Sequence, residues 1–381
     1  MLLELVEGML DRAWLSNAGP LVEDFEGRIR EYVGVKHCVC MCNATIALEI
    51  AIRAAHLEGE VIVPSFTFVA TAHALQWQRI TPVFCDIDPG THCIDPLKIE
   101  AMITPRTTGI IAVHLWGRPC NVELLDNIAK RHHLTLIYDA AHAFGCSHKG
   151  KMVGGFGDAE IFSFHATKFF NTFEGGAAVT NDDRLADEMR LMRNFGFAGY
   201  DNVVCVGTNG KMSEVSAAMG ITSFDSIGEF VATNRRNFHV YRACLEDVPG
   251  VRLLQYDDNE RQNYQYIVLE IEENTTGLQR DDLIAVLQAE NVLARRYFWP
   301  GCHRMEPYKS LFPDAGSVLR ETEIVADKVI VLPTGTAVNS LDIEKICAII
   351  LEALGQKASI RALLRTTHGA PAHPILSDLH E

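Results

Sequence analysis

Between about residues 36 and 180 the chain alternates short, largely apolar β-type runs with stretches of helical apolar spacing. The β-type runs fall at 36–41, 60–63, 82–86, 109–115, 134–138, 160–163 and 177–180. Stretches at 44–55 and 68–78 carry apolar residues at the three- and four-residue spacing of one helix face. Strands separated by helices build βαβ units, so the alternation predicts an α/β fold: a mostly parallel central sheet flanked by helices. Such a sheet offers ligands the carboxyl ends of its strands.

From about residue 245 the texture changes. Runs at 264–271, 292–298 and 329–332 read as strands, and 281–290 and 341–354 as helices. Residues 1–244 are therefore expected to form a large domain and 245–364 a smaller α+β domain, with 365–381 an irregular tail. A chain of 381 residues, 48 % of them hydrophobic, can bury both cores. Its formal net charge of −15 argues against a nucleic-acid or anionic-membrane binder, since both favour a basic face. No apolar run reaches the roughly 18 residues of a membrane span. Residues 1–14 read as an amphipathic acidic helix rather than a secretory signal.

The 11 cysteines lack ordered pair spacing, which fits reduced thiols in a cytoplasm. Cys38, Cys40 and Cys42 alternate along one predicted strand face. The C-x2-C spacing of a zinc site is absent, so buried apolar thiols are expected and no metal. His132-His133 sits near a helix end, where capping is the better reading than metal binding.

Four segments of the alternating region carry chemistry. Residues 134–142, Leu-Thr-Leu-Ile-Tyr-Asp-Ala-Ala-His, form a buried-type strand ending in the carboxylate of Asp139, with His142 three residues on. Residues 163–176, Ser-Phe-His-Ala-Thr-Lys-Phe-Phe-Asn-Thr-Phe-Glu-Gly-Gly, leave a strand at Ser163 and set Lys168 in a polar turn. A lysine there reaches beyond the strand ends. To attack a carbonyl it must spend time as a neutral amine, against a free pKa of about 10.4. Taken alone, the segment fits a surface loop lysine equally well.

Residues 42–50, Cys-Asn-Ala-Thr-Ile-Ala-Leu-Glu-Ile, open a helix after the first strand. A helix start offers a phosphate its free N–H groups, here that of Ala44, and a positive dipole end; Thr45 and Ser163 add hydroxyls. An ordinary N-cap gives the same pattern. In residues 63–71, Val-Pro-Ser-Phe-Thr-Phe-Val-Ala-Thr, the strand stops at Pro64 and Phe68 can stack on a flat ring, although a core aromatic has the same signature. A phosphate cup, a stacking ring, a strand-end aspartate and a strand-end lysine together suit pyridoxal 5′-phosphate. The lysine would hold its aldehyde, and the aspartate would keep its pyridine nitrogen protonated.

These segments, with Trp-Leu-Ser-Asn-Ala-Gly-Pro-Leu at 14–21 and Val-Leu-Pro-Thr-Gly at 331–335, resemble the DegT/DnrJ/StrS family of nucleotide-sugar aminotransferases, of fold-type I. The resemblance covers most of the chain. It implies that Lys168 holds the cofactor covalently and that Asp139 is its ring-nitrogen partner, both catalytic. It implies a ring contact from His142, phosphate contacts from Thr45 and Ser163, and stacking by Phe68. In Gly-Thr-Asn-Gly-Lys-Met-Ser-Glu, 207–214, Asn209 matches an asparagine that reaches the phosphate of the neighbouring subunit, which implies a homodimer with shared sites. Relatives often carry Arg at Lys211, and Lys offers a point charge instead of a fork.

The same resemblance implies substrate contacts from Asn17, Lys211, Tyr297 and His303. It implies L-glutamate as amino donor, leaving 2-oxoglutarate, and TDP-4-keto-6-deoxy-D-glucose as acceptor, aminated at C4. The product would be a deoxyamino sugar, for antibiotic or surface-polysaccharide biosynthesis, made in the cytoplasm. A 3-keto sugar aminotransferase and a regulator without turnover are the alternatives. An intact Lys168 and Asp139 favour catalysis, and Lys168 speaks against related sugar dehydratases, which carry His there. Gly-Gly-Phe-Gly-Asp-Ala-Glu at 154–160 precedes a strand, whereas a dinucleotide fingerprint follows one.

Overall fold

The computed structural model describes residues 1–367, so residues 368–381 of the expected tail lie outside the described part. Seven strands form the main sheet: β1 (His37–Met41), β2 (Glu60–Pro64), β3 (Thr81–Cys85), β4 (Thr107–Val113), β5 (Thr135–Asp139), β6 (Ala159–Ser163) and β7 (Gly176–Thr180). Their order is β1-β7-β6-β5-β4-β2-β3. Of these, β7 alone runs against the rest, pairing antiparallel with β1 and β6. The α/β reading with a mostly parallel sheet is therefore the observed architecture.

One consequence positions the site. Because β7 is reversed, it begins where its neighbours finish. Gly176 stands in register with Met41 at the end of β1 and with Ser163 at the end of β6.

Among the helices are α1 (Leu2–Asp11), α2 (Pro20–Val33), α3 (Ala44–Ala54), α4 (Ala70–Gln76), α5 (Val122–His132), α6 (Asp183–Arg193), α7 (Glu214–Leu245), α8 (Arg280–Ala289) and α9 (Ser340–Gly355). Helices α2, α3, α5, α6 and α7 cover both faces of the main sheet, as successive strand residues point to opposite sides. Val39, Val61, Val63, Ile111 and Ile137 pack with Leu48 and Ile52 of α3 and Leu185 and Met189 of α6. Opposite them, Ile62, Ile110, Ala112 and Leu136 meet Leu125 and Ile128 of α5. Cys38, Cys40 and Val179 meet Phe25 and Ile29 of α2 and Ala217 and Ile221 of α7. Strands buried on both faces explain the near-continuous apolar runs.

A second sheet, β8 (Val251–Leu253), β9 (Ile267–Ile271) and β10 (Val329–Leu332), is antiparallel with β9 in the centre. It packs with α8 and α9. The 32-residue α7 joins the two parts: its first turns lie in the main core and Phe238 and Tyr241 near its end lie in the second.

Three expectations are corrected. Residues 292–298 form no strand; Leu293 is 69 % exposed, and the backbone of Arg295 pairs with Val331 as an isolated bridge. The strand expected at 264–271 begins at Ile267, because Tyr264 takes a left-handed φ of 49°. The last helix, Lys357–Thr367, extends three residues into the segment read as irregular. Cys38 and Cys40 are buried side by side with their Sγ atoms 3.8 Å apart, while Cys42 follows the strand and is half-buried. His133 caps α5 in a left-handed conformation, and His132 bonds Glu100 at 2.8 Å. No helix among the described residues is long and apolar enough to cross a membrane.

Candidate active site

Asp139 ends β5, and Lys168 sits in the turn after β6, the strand beside it. Thr71 Oγ1 donates to Asp139 Oδ2 at 2.8 Å, and the Ala141 N–H donates to Oδ1 at 3.1 Å. Burial raises the Asp139 pKa above the usual carboxylate value, against the lowering effects of Thr71, the Ala141 N–H, and the charges of Lys168 and His114. A desolvated carboxylate of this kind favours a cation at its face.

Lys168 Nζ donates to the Tyr266 hydroxyl at 3.1 Å. His142 is buried, and its ring centroid lies 4.4 Å from that of Tyr266. Burial first, then the Lys168 charge, hold the His142 imidazole well below its ordinary pKa, so it is neutral. Lys168, Asp139, His142 and Tyr266 thus converge at the carboxyl ends of β5 and β6.

The helix start expected to hold a phosphate is present. The Asn43 side chain caps α3 by accepting from the Ile46 N–H at 2.8 Å. Ala44 and Thr45 form the first helical turn, and the Thr45 hydroxyl has no partner among the described residues. A Cβ on Gly176 would lie 2.4 Å from the Ala44 nitrogen. Only a glycine lets β7 run this close beneath the start of α3. The hydroxyl of Ser163, two strands along the same edge, receives among the described residues only the His165 N–H, at 3.5 Å.

Phe68 is 48 % exposed, whereas Phe66, two residues earlier, is fully buried against His92, Trp116 and Phe298. A carboxylate, a lysine amine, a helix start with hydroxyls and an open aromatic ring form a donor set that fits pyridoxal phosphate.

Two expected substrate residues come together. The Glu214 carboxylate accepts from the Leu21 and Val22 N–H groups at 2.9 and 3.0 Å, and the Glu214 N–H bonds Leu15 O at 3.1 Å. This pins the segment that carries Asn17, whose φ is 64°. Asn17 and Lys211 then line one pocket of about 180 Å³ with Arg190, Arg193 and Asn194. Burial, helped by Arg193, lowers the Lys211 pKa, and its Nζ lies 4.5 Å from the Phe195 ring centre. Lys211 also bridges to Met41 at the end of β1, and Asn209 is exposed, bridging to Asn194.

Tyr297 and His303 do not join that pocket. Tyr297 is half-buried, accepts from Arg295 at 2.8 Å and stacks on Phe298 with ring centres 5.0 Å apart. His303 is 3 % exposed, with Nδ1 2.7 Å from the Ser65 hydroxyl and Nε2 3.3 Å from Glu323. Both ring nitrogens thus have partners within the chain.

Several residues of the site carry no mark in the sequence. Tyr266 and Thr71 contact Lys168 and Asp139 across 98 and 68 residues. Asn263 donates to the carbonyls of His142 and Phe144 at 2.8 and 3.1 Å, and Trp116 touches His142. Gly176, by contrast, has a signal: a doubled glycine at a strand start after the lysine turn.

Comparison with known proteins gives concordant results. The profile of the DegT/DnrJ/EryC1/StrS aminotransferase family matches residues 2–351. A dTDP-4-amino-4,6-dideoxy-D-glucose transaminase of Shigella dysenteriae is 38% identical over 339 residues, 88% of this chain and 91% of its own length. A protein of the same name from Escherichia coli is 36% identical over 349 residues, 91% and 93% of the two lengths. Among solved structures, DesI in the presence of its TDP-sugar product aligns with a TM-score of 0.91 at 48% identity, covering 96% of this chain and 92% of that one.

Proposed function

The chain belongs to the DegT/DnrJ/EryC1/StrS aminotransferase family, and we propose that it moves the amino group of L-glutamate to C4 of TDP-4-keto-6-deoxy-D-glucose. It is a pyridoxal-phosphate-dependent sugar aminotransferase. The observation that carries the proposal is the convergence of Lys168 and Asp139 from adjacent strand ends, in a chain whose relatives are named for a 4-amino-4,6-dideoxy sugar. The TDP part draws support from DesI and its TDP-sugar product.

When bound, pyridoxal phosphate supplies an aldehyde that takes up an amino group and a ring that accepts electrons from the substrate carbon. In the proposed mechanism Lys168 Nζ holds that aldehyde in the resting enzyme. Displaced by glutamate, the Lys168 amine takes the proton from the α-carbon as a general base. In the second half-reaction the same amine runs the transfer in reverse and delivers a proton to the sugar C4. Tyr266 keeps Nζ in place while it is free. Asp139, fixed by Thr71 and the Ala141 N–H, holds its negative charge against the ring nitrogen. Ala44, Thr45 and Ser163 bind the phosphate, Phe68 covers the ring, and Asn17, Lys211 and Tyr297 hold the nucleotide sugar.

The proposed assembly is a homodimer with shared sites, in which Asn209 reaches the partner's cofactor. In its support, Phe195, Phe197, Tyr200, Val203, Val204 and Val206 leave a large apolar patch on the surface beside Asn209. A cytoplasmic setting is proposed on the unpaired thiols of the described residues. The division near residue 244 is proposed to separate the cofactor-binding part from the smaller one, and the product is proposed to enter deoxyamino sugar biosynthesis.

The test is turnover of purified protein with L-glutamate and TDP-4-keto-6-deoxy-D-glucose, with NMR of the product. An amine at C4 and release of 2-oxoglutarate are expected. No product, alongside turnover of a 3-keto nucleotide sugar, would overturn the C4 assignment.

A further inference from the structure

His142 is fixed from behind by a chain of buried groups that begins in the small sheet. The main-chain N–H of Trp116 donates to His142 Nδ1 at 3.3 Å. In a neutral imidazole this puts the proton on Nε2. His142 Nε2 makes no hydrogen bond among the described residues, so its N–H is the donor this ring can offer a ligand.

Trp116 supplies that N–H from a left-handed backbone conformation, φ 61°. Such a conformation is disfavoured for a bulky residue and persists only where the surroundings impose it. The indole is fully buried, stacked on Phe298 with centres 5.3 Å apart and edge-on to Tyr266 at 5.2 Å. Its Nε1–H donates to His92 Nδ1 at 3.1 Å. His92 is completely buried, and its other nitrogen lies 2.9 Å from Glu270 Oε1. Since Nδ1 of His92 is the acceptor, its Nε2 is the donor to Glu270. Glu270 belongs to β9 and is paired in turn with Arg252 of β8.

We propose that His92 is a positioning residue for the aminotransferase reaction. Held by Glu270, it pins the Trp116 indole. The pinned Trp116 backbone then locks His142 in the Nε2–H tautomer that contacts the cofactor. The last step rests on the placement of His142 beside pyridoxal phosphate proposed above. The tautomer itself does not, and it can be read in protein without added cofactor.

Three variants of the full chain test this: His92→Leu, His92→Asn, whose side-chain oxygen can replace Nδ1 as acceptor, and Trp116→Phe, which keeps a stacking ring but loses the indole N–H. The first readout is NMR of nitrogen-labelled histidines before and after addition of pyridoxal phosphate, with the His142 signal assigned by its loss in His142→Gln. The second is steady-state kinetics. His92→Leu and Trp116→Phe are expected to move the His142 ring signals away from a single Nε2–H form. They should lower kcat roughly tenfold to a hundredfold with a smaller change in KM. His92→Asn should restore both most of the way. If His92→Leu does not fold, Trp116→Phe decides. An unchanged His142 signal in a folded His92→Leu or Trp116→Phe protein overturns the proposal, as does an Asn variant no better than Leu. A shifted His142 signal with unaltered kinetics would instead fault the placement of His142 at the cofactor.

Discussion

The side-chain nitrogen of Lys168 donates a hydrogen bond of 3.1 Å to the hydroxyl of Tyr266, and Tyr266 immediately precedes β9 of the small sheet. The residue proposed to perform the proton transfers is thus held by the part of the chain that follows α7. Tyr266→Phe keeps the ring packed on His142 and removes the tether. A hydrogen bond of this kind is worth about 0.5–1.5 kcal/mol, so kcat should fall roughly twofold to tenfold while cofactor content stays near one per chain. An unaltered kcat would deny the tether a role.

Asp139 should trade stability for chemistry. Burial raises its pKa, so between the unfolded value of about 3.9 and the raised folded value the native state holds the proton more tightly. The stability of the cofactor-free protein therefore falls as pH rises through that window, and above it the charged carboxylate remains a burden. Asp139→Asn, whose Oδ1 can still accept from the Ala141 N–H and whose Nδ2 can donate to the Thr71 hydroxyl, should show an equal or higher Tm at neutral pH without cofactor, with turnover lost by at least about a hundredfold. A variant with a markedly lower Tm in the cofactor-free state would contradict this.

Gly176 should tolerate no side chain. The added Cβ of Gly176→Ala would meet the backbone of Ala44 and Asn43 at 2.4–2.6 Å, and backbone cannot swing aside as a flexible side chain can. The start of α3 must shift, and its N–H groups with it. Titration of pyridoxal phosphate should show at least about tenfold weaker binding, together with a lower Tm. Parent-like affinity would mean the phosphate is held elsewhere.

Two phenylalanines two residues apart should behave in opposite ways. Phe68 is half-exposed, so Phe68→Ala should leave the cofactor-free protein within ~0.5 kcal/mol of the parent. Its effect should appear as cofactor affinity weakened up to about tenfold. Phe66 is fully buried, and Phe66→Ala should cost about 3–5 kcal/mol in urea unfolding. Equal losses of stability in the two would remove Phe68 from the ring-covering role.

Much of this arrangement was legible in the sequence because strand-end chemistry is local. A buried strand that stops at Asp139, and another that stops at Ser163 before Lys168, declare themselves through apolar runs and turn residues. Residues that act across the fold leave no such trace. Tyr266 reads as part of a longer strand and Asn263 as a residue just before it, because nothing in their neighbours announces the left-handed turn at Tyr264. Residues 292–298 have strand composition, yet Tyr297 and Phe298 go to an aromatic cluster with Trp116 and His142 instead of a ladder. His303 sat in a segment that resembles substrate contacts, and its burial against Ser65 depends on a strand end 238 residues away.

The central claim is that Lys168 holds pyridoxal phosphate, and chemical trapping tests it most directly. The full chain is incubated with pyridoxal phosphate, reduced with borohydride, digested and analysed by mass spectrometry. The cofactor should be fixed to the peptide that contains Lys168, the mark should vanish if glutamate is added before reduction, and Lys168→Ala should carry none. A mark on another lysine such as Lys211, or an unchanged mark in Lys168→Ala, would contradict the account.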